Sequence, residues 1–238
     1  MATERSLAIL RAIVEDYIDT REPVGSKTIV ERHDFGVSAA TVRNDMALLE
    51  EEELIVAPHT SSGRVPTDKG YRVFVDHLHE LRPLTASQRQ AIERFLGESD
   101  DLEQLYGRTV RVLSQLTGQL AMIASPGNGK LVVSGAANLV RTEQDFAGRI
   151  VEVMDAIDEQ VVVMRLLAET ARDRSVAVTI GRENEPFGLT ETSVVSSQFS
   201  TNPGTSLVGV LGPTRMDYSG SIVAVRALAR YLSQLLGE

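Results

Sequence analysis

The chain has 238 residues, is 42% hydrophobic and 24% charged, and carries a formal net charge of −9. That is a globular balance and excludes a wholly disordered chain. The absence of cysteine excludes disulfide frameworks, thiolate metal sites and a cysteine nucleophile. The acidic balance also excludes nucleic-acid binding through a generalised basic field, so any such binding must rest on a local cationic face.

The N-terminal stretch "MATERSLAILRAIVEDY" lacks the long apolar core of a signal peptide, and no run of apolar residues reaches the length of a membrane span. A cytoplasmic protein with no membrane partner is expected. Leu7, Leu10, Ile13, Val14 and Tyr17 follow the spacing of a helix that buries one stripe. Pro23 and Gly25 mark a turn, and "SKTIVERHDF" predicts a short helix capped by Ser26, with Ile29 and Val30 inward and Gly36 beyond its end.

The next helix is the best specified. Ser38 suits an N-cap, and Val37 and Val42 are spaced for a hydrophobic staple. Val42, Met46 and Leu49 share the core face, which turns Ala39, Ala40, Arg43, Asn44 and Ala47 outward. The front of this helix is slim and carries hydrogen-bonding groups, whereas Glu50 to Glu53 form an acidic tail. Consecutive helical residues point to different sides, so the four glutamates cannot converge on one metal ion, and a solvated helix end is expected.

"LIVAP" then predicts a short strand, "HTSSGR" a polar tip, and "RVP" a return strand. Thr67 or Asp68 caps a further helix with Tyr71, Phe74, Val75 and Leu78 inward. Three helices followed by a small hairpin is the order of a winged helix-turn-helix, assigned to residues 1–82. Residues 1–53 hold six Lys or Arg against twelve Asp or Glu, whereas residues 54–75 hold Arg64, Lys69 and Arg72 against Asp68 alone. The hairpin region is thus the cationic part.

Residues 83–126 are expected to be a mostly helical linker or dimerisation region, with Leu102, Leu105, Val112, Leu113, Leu116 and Leu120 supplying its apolar face. Beyond "GNGK", residues 127–238 alternate: "LVVSGA", "VAVTIG", "ETSVVSSQFS" and "SLVGVLG" as strands, "DFAGRIVEVMDAIDEQVVVMRLLAET" as helical or mixed, and "YSGSIVAVRALARYLSQLL" as a final helix. The whole is an α+β chain whose C-terminal part is an α/β sheet domain.

Chemistry-bearing motifs are few. His33, His59, His77 and His79 do not have zinc-site spacing, "SPGNGKLV" lacks the phosphate-wrapping spacing, and no nucleophile elbow is present. No enzyme, metal or cofactor is expected. "GRENE" (181–185) and "GPTRMDY" (212–218) admit two readings: a small-ligand pocket, or a salt-bridged turn in which Arg215 and Glu183 pair and Asp217 or Ser219 caps the last helix.

A groove of B-DNA accepts one helix entering by its N-terminal part. The candidate DNA-binding residues are Ser38, Ala39, Ala40, Thr41, Arg43 and Asn44 on the helix, Lys27 on its neighbour, His59, Thr60, Ser61, Ser62 and Arg64 on the hairpin, and Lys69 and Arg72 after it. The combination "EPVGSKT", "VSAATVRNDM", "PHTSSGRVPTDKGYR", "IGRENE" and "GPTRMDY", spread from Leu7 to Leu236, resembles the bacterial heat-inducible transcription repressor HrcA family.

The resemblance implies a winged helix joined to a GAF-like domain, and a homodimer bound to the inverted-repeat double-stranded operator CIRCE upstream of chaperone operons. It implies an active state maintained by the GroE chaperonin until unfolded protein occupies it on heat shock. Ser38 to Met46 would be the front of the recognition helix and His59 to Arg64 the wing. The family has a long segment between the counterparts of "LAMIASP" and "LVVSGAANL"; here only "GNGK" stands there. The competing expectation is a small-ligand-sensing regulator acting through the C-terminal domain.

Overall fold

Thr3 accepts a hydrogen bond from the Ser6 amide and so starts α1 (Glu4–Thr20), which ends where Arg21 takes a left-handed conformation. The computed structural model describes residues 3–237, apart from 60, 61, 79, 80, 82, 98, 100, 128, 147, 172–175 and 203, and gives the backbone alone at 143. The described chain falls into two compact units, residues 1–79 and 80–238.

In the first unit α1 is followed by α2 (Ser26–Arg32), α3 (Ala39–Glu51), strands β1 (Ile55–Val56) and β2 (Val65–Pro66), and α4 (Asp68–Asp76). Ile9, Leu10, Ile13, Val14, Ile29, Val42, Leu49, Ile55, Tyr71 and Phe74 form the core. It is the set that 3.6-residue periodicity selects. Ser38 caps α3 by accepting from the Thr41 amide at 3.2 Å, and Thr67 caps α4 by accepting from Gly70 at 3.0 Å. β1 and β2 pair antiparallel, Ile55 opposite Pro66 and Val56 opposite Val65.

Two expectations about α2 are corrected. Gly25, not Ser26, is the N-cap of α2, and Ser26 is buried inside the first turn. Val30 is 36% exposed, because a helix of only seven residues buries one narrow stripe, and Ile29 occupies it.

In the second unit Thr85 and Gln88 cap α5 (Ala86–Gly97) reciprocally, the hydroxyl accepting from the Gln88 amide and the side-chain carbonyl accepting from the Thr85 amide. Asp101 caps α6 (Leu102–Thr117). A five-stranded antiparallel sheet follows, in the order β4-β3-β7-β6-β5. Its strands are β3 (Leu120–Ser125), β4 (Lys130–Ser134), β5 (Ala177–Ile180), β6 (Thr192–Ser200) and β7 (Thr205–Pro213). The remaining helices are α7 (Ala136–Arg141), α8 (Ile150–Asp158), α9 (Gln160–Thr170) and α10 (Tyr218–Leu236), the last capped by Asp217.

The two-residue period of the strands sorts the sheet into two faces. Leu120, Met122, Ala124, Val194, Leu207 and Leu211 join Leu139, Phe146, Val153, Val163 and Leu167 in one core beneath α7, α8 and α9. The opposite face meets α6 and α10: Phe199 lies edge-on to Tyr106, and Ser193 hydrogen-bonds the Tyr218 hydroxyl at 2.8 Å. The mixed helix and sheet content agrees with the expected α+β class.

"LAMIAS" is strand β3 rather than a continuation of helix. Gly118, left-handed at φ 68°, ends α6, and all six residues of β3 are buried between β4 and β7 in the sheet. The inward face of α6 is also displaced from expectation: Leu105, Tyr106, Thr109, Val110 and Leu113 are buried, whereas Leu102 and Leu116 are exposed near the helix ends. Among the described residues no helix is long and apolar enough to cross a membrane, and no group of three or more metal-ligating side chains converges.

Candidate nucleic-acid interface

The front of α3 is held against α1 from behind. Asp45, buried, receives two hydrogen bonds from the Arg5 guanidinium at 2.8 and 3.2 Å. The same pairing raises the pKa of Arg5, through the hydrogen bond first and the charge of Asp45 second. With Val42, Met46 and Leu49 packed inward, the helix cannot rotate without uncovering its core, so its other face is fixed outward.

That face carries Ala40, Arg43, Asn44 and Ala47, all exposed, with Ala39 and Thr41 half-buried. Thr41 and Ser38 hydroxyls lie 3.1 Å apart at the helix start. The amides of this first turn lend the site a partial positive charge.

The hairpin is tied to the turn before α2. Val24 and Arg64 exchange two backbone hydrogen bonds, each 2.9 Å, as a single antiparallel bridge at the base of β2. Gly63 makes this possible, since a Cβ there would meet the Pro23 carbonyl oxygen at 2.5 Å. Ser62 closes the tip by accepting from the His59 amide and donating to its carbonyl oxygen. Thr60 and Ser61 lie outside the described residues.

Between the hairpin and the start of α2 runs a groove of about 360 Å³, lined by Gly25, Ser26, Lys27, Arg43, Met46, Ala47, Ser62, Gly63 and Arg64. Of the expected site residues it gathers Lys27, Arg43, Ser62 and Arg64. Lys27 and Arg43 are exposed and make no ion pair with a described residue. His59 is exposed on the hairpin but does not line the groove.

The remaining cations are engaged elsewhere. Lys69 donates to the Glu52 carbonyl at 2.7 Å and stands 4.0 Å from the Glu53 carboxylate, and Arg72 pairs with Asp76 at 3.6 Å. Neither lines the groove.

Periodicity alone did not reveal Glu50. The expectation that the acidic run simply stays in water is corrected here, because Glu50 folds back and pairs with Arg64 at 2.9 Å. The run also leaves the helix early: α3 ends at Glu51, and Glu53 is left-handed at φ 59°.

In the second unit Arg215 forms a bidentate pair with Asp145, at 3.1 and 3.2 Å, both side chains 10% exposed. Glu183 accepts from the Ile180 amide at 3.0 Å and starts a 3-10 turn, residues 181–187. "GRENE" and "GPTRMDY" therefore contribute local caps and a buried pair.

A family model described as "HrcA protein C terminal domain" matches residues 125–222. The chain is 46% identical to the heat-inducible transcription repressor HrcA of Leifsonia xyli subsp. xyli and 46% identical to that of Clavibacter michiganensis subsp. michiganensis, with 100% of both chains covered in each case. Each alignment runs over 339 positions against 238 residues here, so 101 positions, 339 less 238, have no residue of this chain opposite them. The crystal structure of a hypothetical protein shares the fold, with a TM-score of 0.79 at 18% identity over 98% of each chain. The chain belongs to the HrcA family of heat-inducible transcription repressors.

Proposed function

We propose that the chain is a sequence-specific repressor that binds double-stranded DNA at the CIRCE inverted repeat and so silences heat-shock chaperone operons. Residues 1–79 act as a winged helix-turn-helix: α3 is the recognition helix, the β1–β2 hairpin the wing, and Ala39 and Ala40 give the close approach that Arg43 and Asn44 need to reach base edges. The sheet unit acts as the GAF-like domain. An inverted repeat presents two half-sites, which calls for a homodimer. The GroE chaperonin keeps the repressor active, and heat stress releases the operator.

The observation that carries this reading is the groove in which Lys27 and Arg43, both exposed, face Ser62 and Arg64 beside the slim start of α3. An acidic chain that leaves cations uncompensated along one helix start has a local anion site despite its net charge.

The test is fluorescence anisotropy with a CIRCE duplex and a scrambled duplex between 50 and 200 mM salt. We expect a preference for CIRCE of about 10³ or more. Three cationic contacts per half-site give a log–log salt slope of about −5. Equal affinity for the two duplexes would refute the proposal.

A further inference from the structure

Helix α10 carries two apolar stripes. Ile222, Val225, Leu228, Ala229 and Leu232 are buried beneath the sheet. Val223, Ala227 and Tyr231, spaced four residues apart, form a second, half-buried stripe that the sheet does not cover. This stripe faces α5 across a cavity of about 340 Å³, whose other apolar walls are Leu81, Leu84 and Ile92. The volume is at the lower end of the roughly 300–1,000 Å³ of small-molecule sites.

The rim is cationic. Arg89, Arg226 and Arg230 line the cavity, all three are exposed, and none makes an ion pair with a described residue. Arg5, Arg32, Arg64 and Arg215 pair with carboxylates, whereas these three, like Arg43, do not pair with a described residue. Among the described lining residues Glu93 is the single carboxylate. The Tyr231 hydroxyl donates to the Glu93 backbone carbonyl at 3.5 Å, and its pKa is pushed up by burial first and by the Glu93 charge second, so it stays neutral and a donor at neutral pH. Three guanidinium forks above an apolar cleft match one ligand chemistry: an anionic head with a short apolar body.

We propose that the α5–α10 cavity is a binding site for a small amphiphilic carboxylate, its apolar body in the cleft and its carboxylate held by Arg226 and Arg230, with Arg89 across the rim. The site lies wholly within residues 80–238 and shares no residue with the cationic groove.

The experiment is calorimetric titration of the full chain, without DNA, with octanoate, decanoate, decanol and decyltrimethylammonium, each below its micellar concentration. Decanoate is expected to bind saturably at one site per chain and roughly tenfold tighter than octanoate, since each buried methylene multiplies affinity by about fourfold at most. Arg226→Ala/Arg230→Ala, both at exposed positions, is expected to weaken it at least tenfold, with an unchanged melting temperature. Arg111→Ala, on the exposed side of α6, leaves binding unaltered. Equal binding of decanol or of the cationic amphiphile, full affinity in the double variant, or the absence of saturable decanoate binding would each overturn the proposal. Because no DNA is present, none of these results depends on the operator reading.

Discussion

Glu50→Gln is expected to tighten operator binding, which is the reverse of what most substitutions beside an interface do. Arg64 donates to the Glu50 carboxylate at 2.9 Å, and the two side chains are 28% and 37% exposed, so water screens the pair. Such a pair contributes about 0.5 kcal/mol, which must be given up if Arg64 turns to a phosphate. A phosphate seated on Arg64 would stand about 6 Å from the Glu50 carboxylate, a repulsion of about 1 kcal/mol at an effective dielectric between those of the protein surface and water. The sum is about 1.5 kcal/mol per half-site, or about tenfold in affinity. Anisotropy with a CIRCE duplex at constant salt reads it directly, and in an Arg64→Ala background the gain should vanish, because no phosphate then sits beside Glu50. If Glu50→Gln binds as wild type or more weakly, Glu50 orients Arg64 instead of competing for it, and the electrostatic argument fails.

Arg43→Ala should weaken operator binding by about 1–3 kcal/mol while leaving the melting temperature unchanged, since Arg43 is exposed and unpaired among the described residues. Equal loss of folding and binding would reject its role. Gly70→Ala drives a Cβ into the Leu54 carbonyl oxygen, in the turn between α3 and β1, and should destabilise the first unit by about 3 kcal/mol. Circular dichroism melting checks this, and a wild-type melt would show that the backbone there yields easily. Arg215→Leu removes the bidentate guanidinium from the nearly buried Asp145 carboxylate and should cost about 3 kcal/mol, much of it restored in Arg215→Leu/Asp145→Leu. No recovery in the double variant would mean that Arg215 contributes packing rather than charge compensation.

What the sequence discloses is what a few adjacent residues decide. Ser38, Thr67 and Asp217 act as caps because capping is settled within three residues of the helix start. The "HTSSGR" tip joins two strands because apolar runs and turn residues flank it. The pairs that lock each unit join residues far apart: Arg5 with Asp45, 40 positions on, in the first, and Arg215 with Asp145, 70 positions back, in the second. No local rule proposes them. The six residues of β3 read as helix for a different reason, since a short apolar run fits either a buried helix segment or a buried strand. Gly118 was the available sign, being where a left-handed residue stops α6.

The β3–β4 connection is also a place where the sheet can take added chain. β3 and β4 pair antiparallel from Ala121 opposite Ser134 to Ser125 opposite Lys130, and the Gly129 amide donates to the Pro126 carbonyl at 3.4 Å in the connecting turn. The last pair of such a ladder holds the two strand ends about 5 Å apart. A connection of any length can therefore leave and return there without altering a single cross-strand partner, and β3 keeps β7 on its other side. Loop-closure entropy sets the penalty: lengthening the four-residue connection by twenty Gly and Ser residues after Gly127 should lower stability by about 1.6 kcal/mol, leaving the unit folded. Chemical denaturation of the lengthened chain measures it. A loss several times larger, or failure to fold, would show that the tight turn, rather than the β3–β7 pairing and the two helical layers, holds β4 in register.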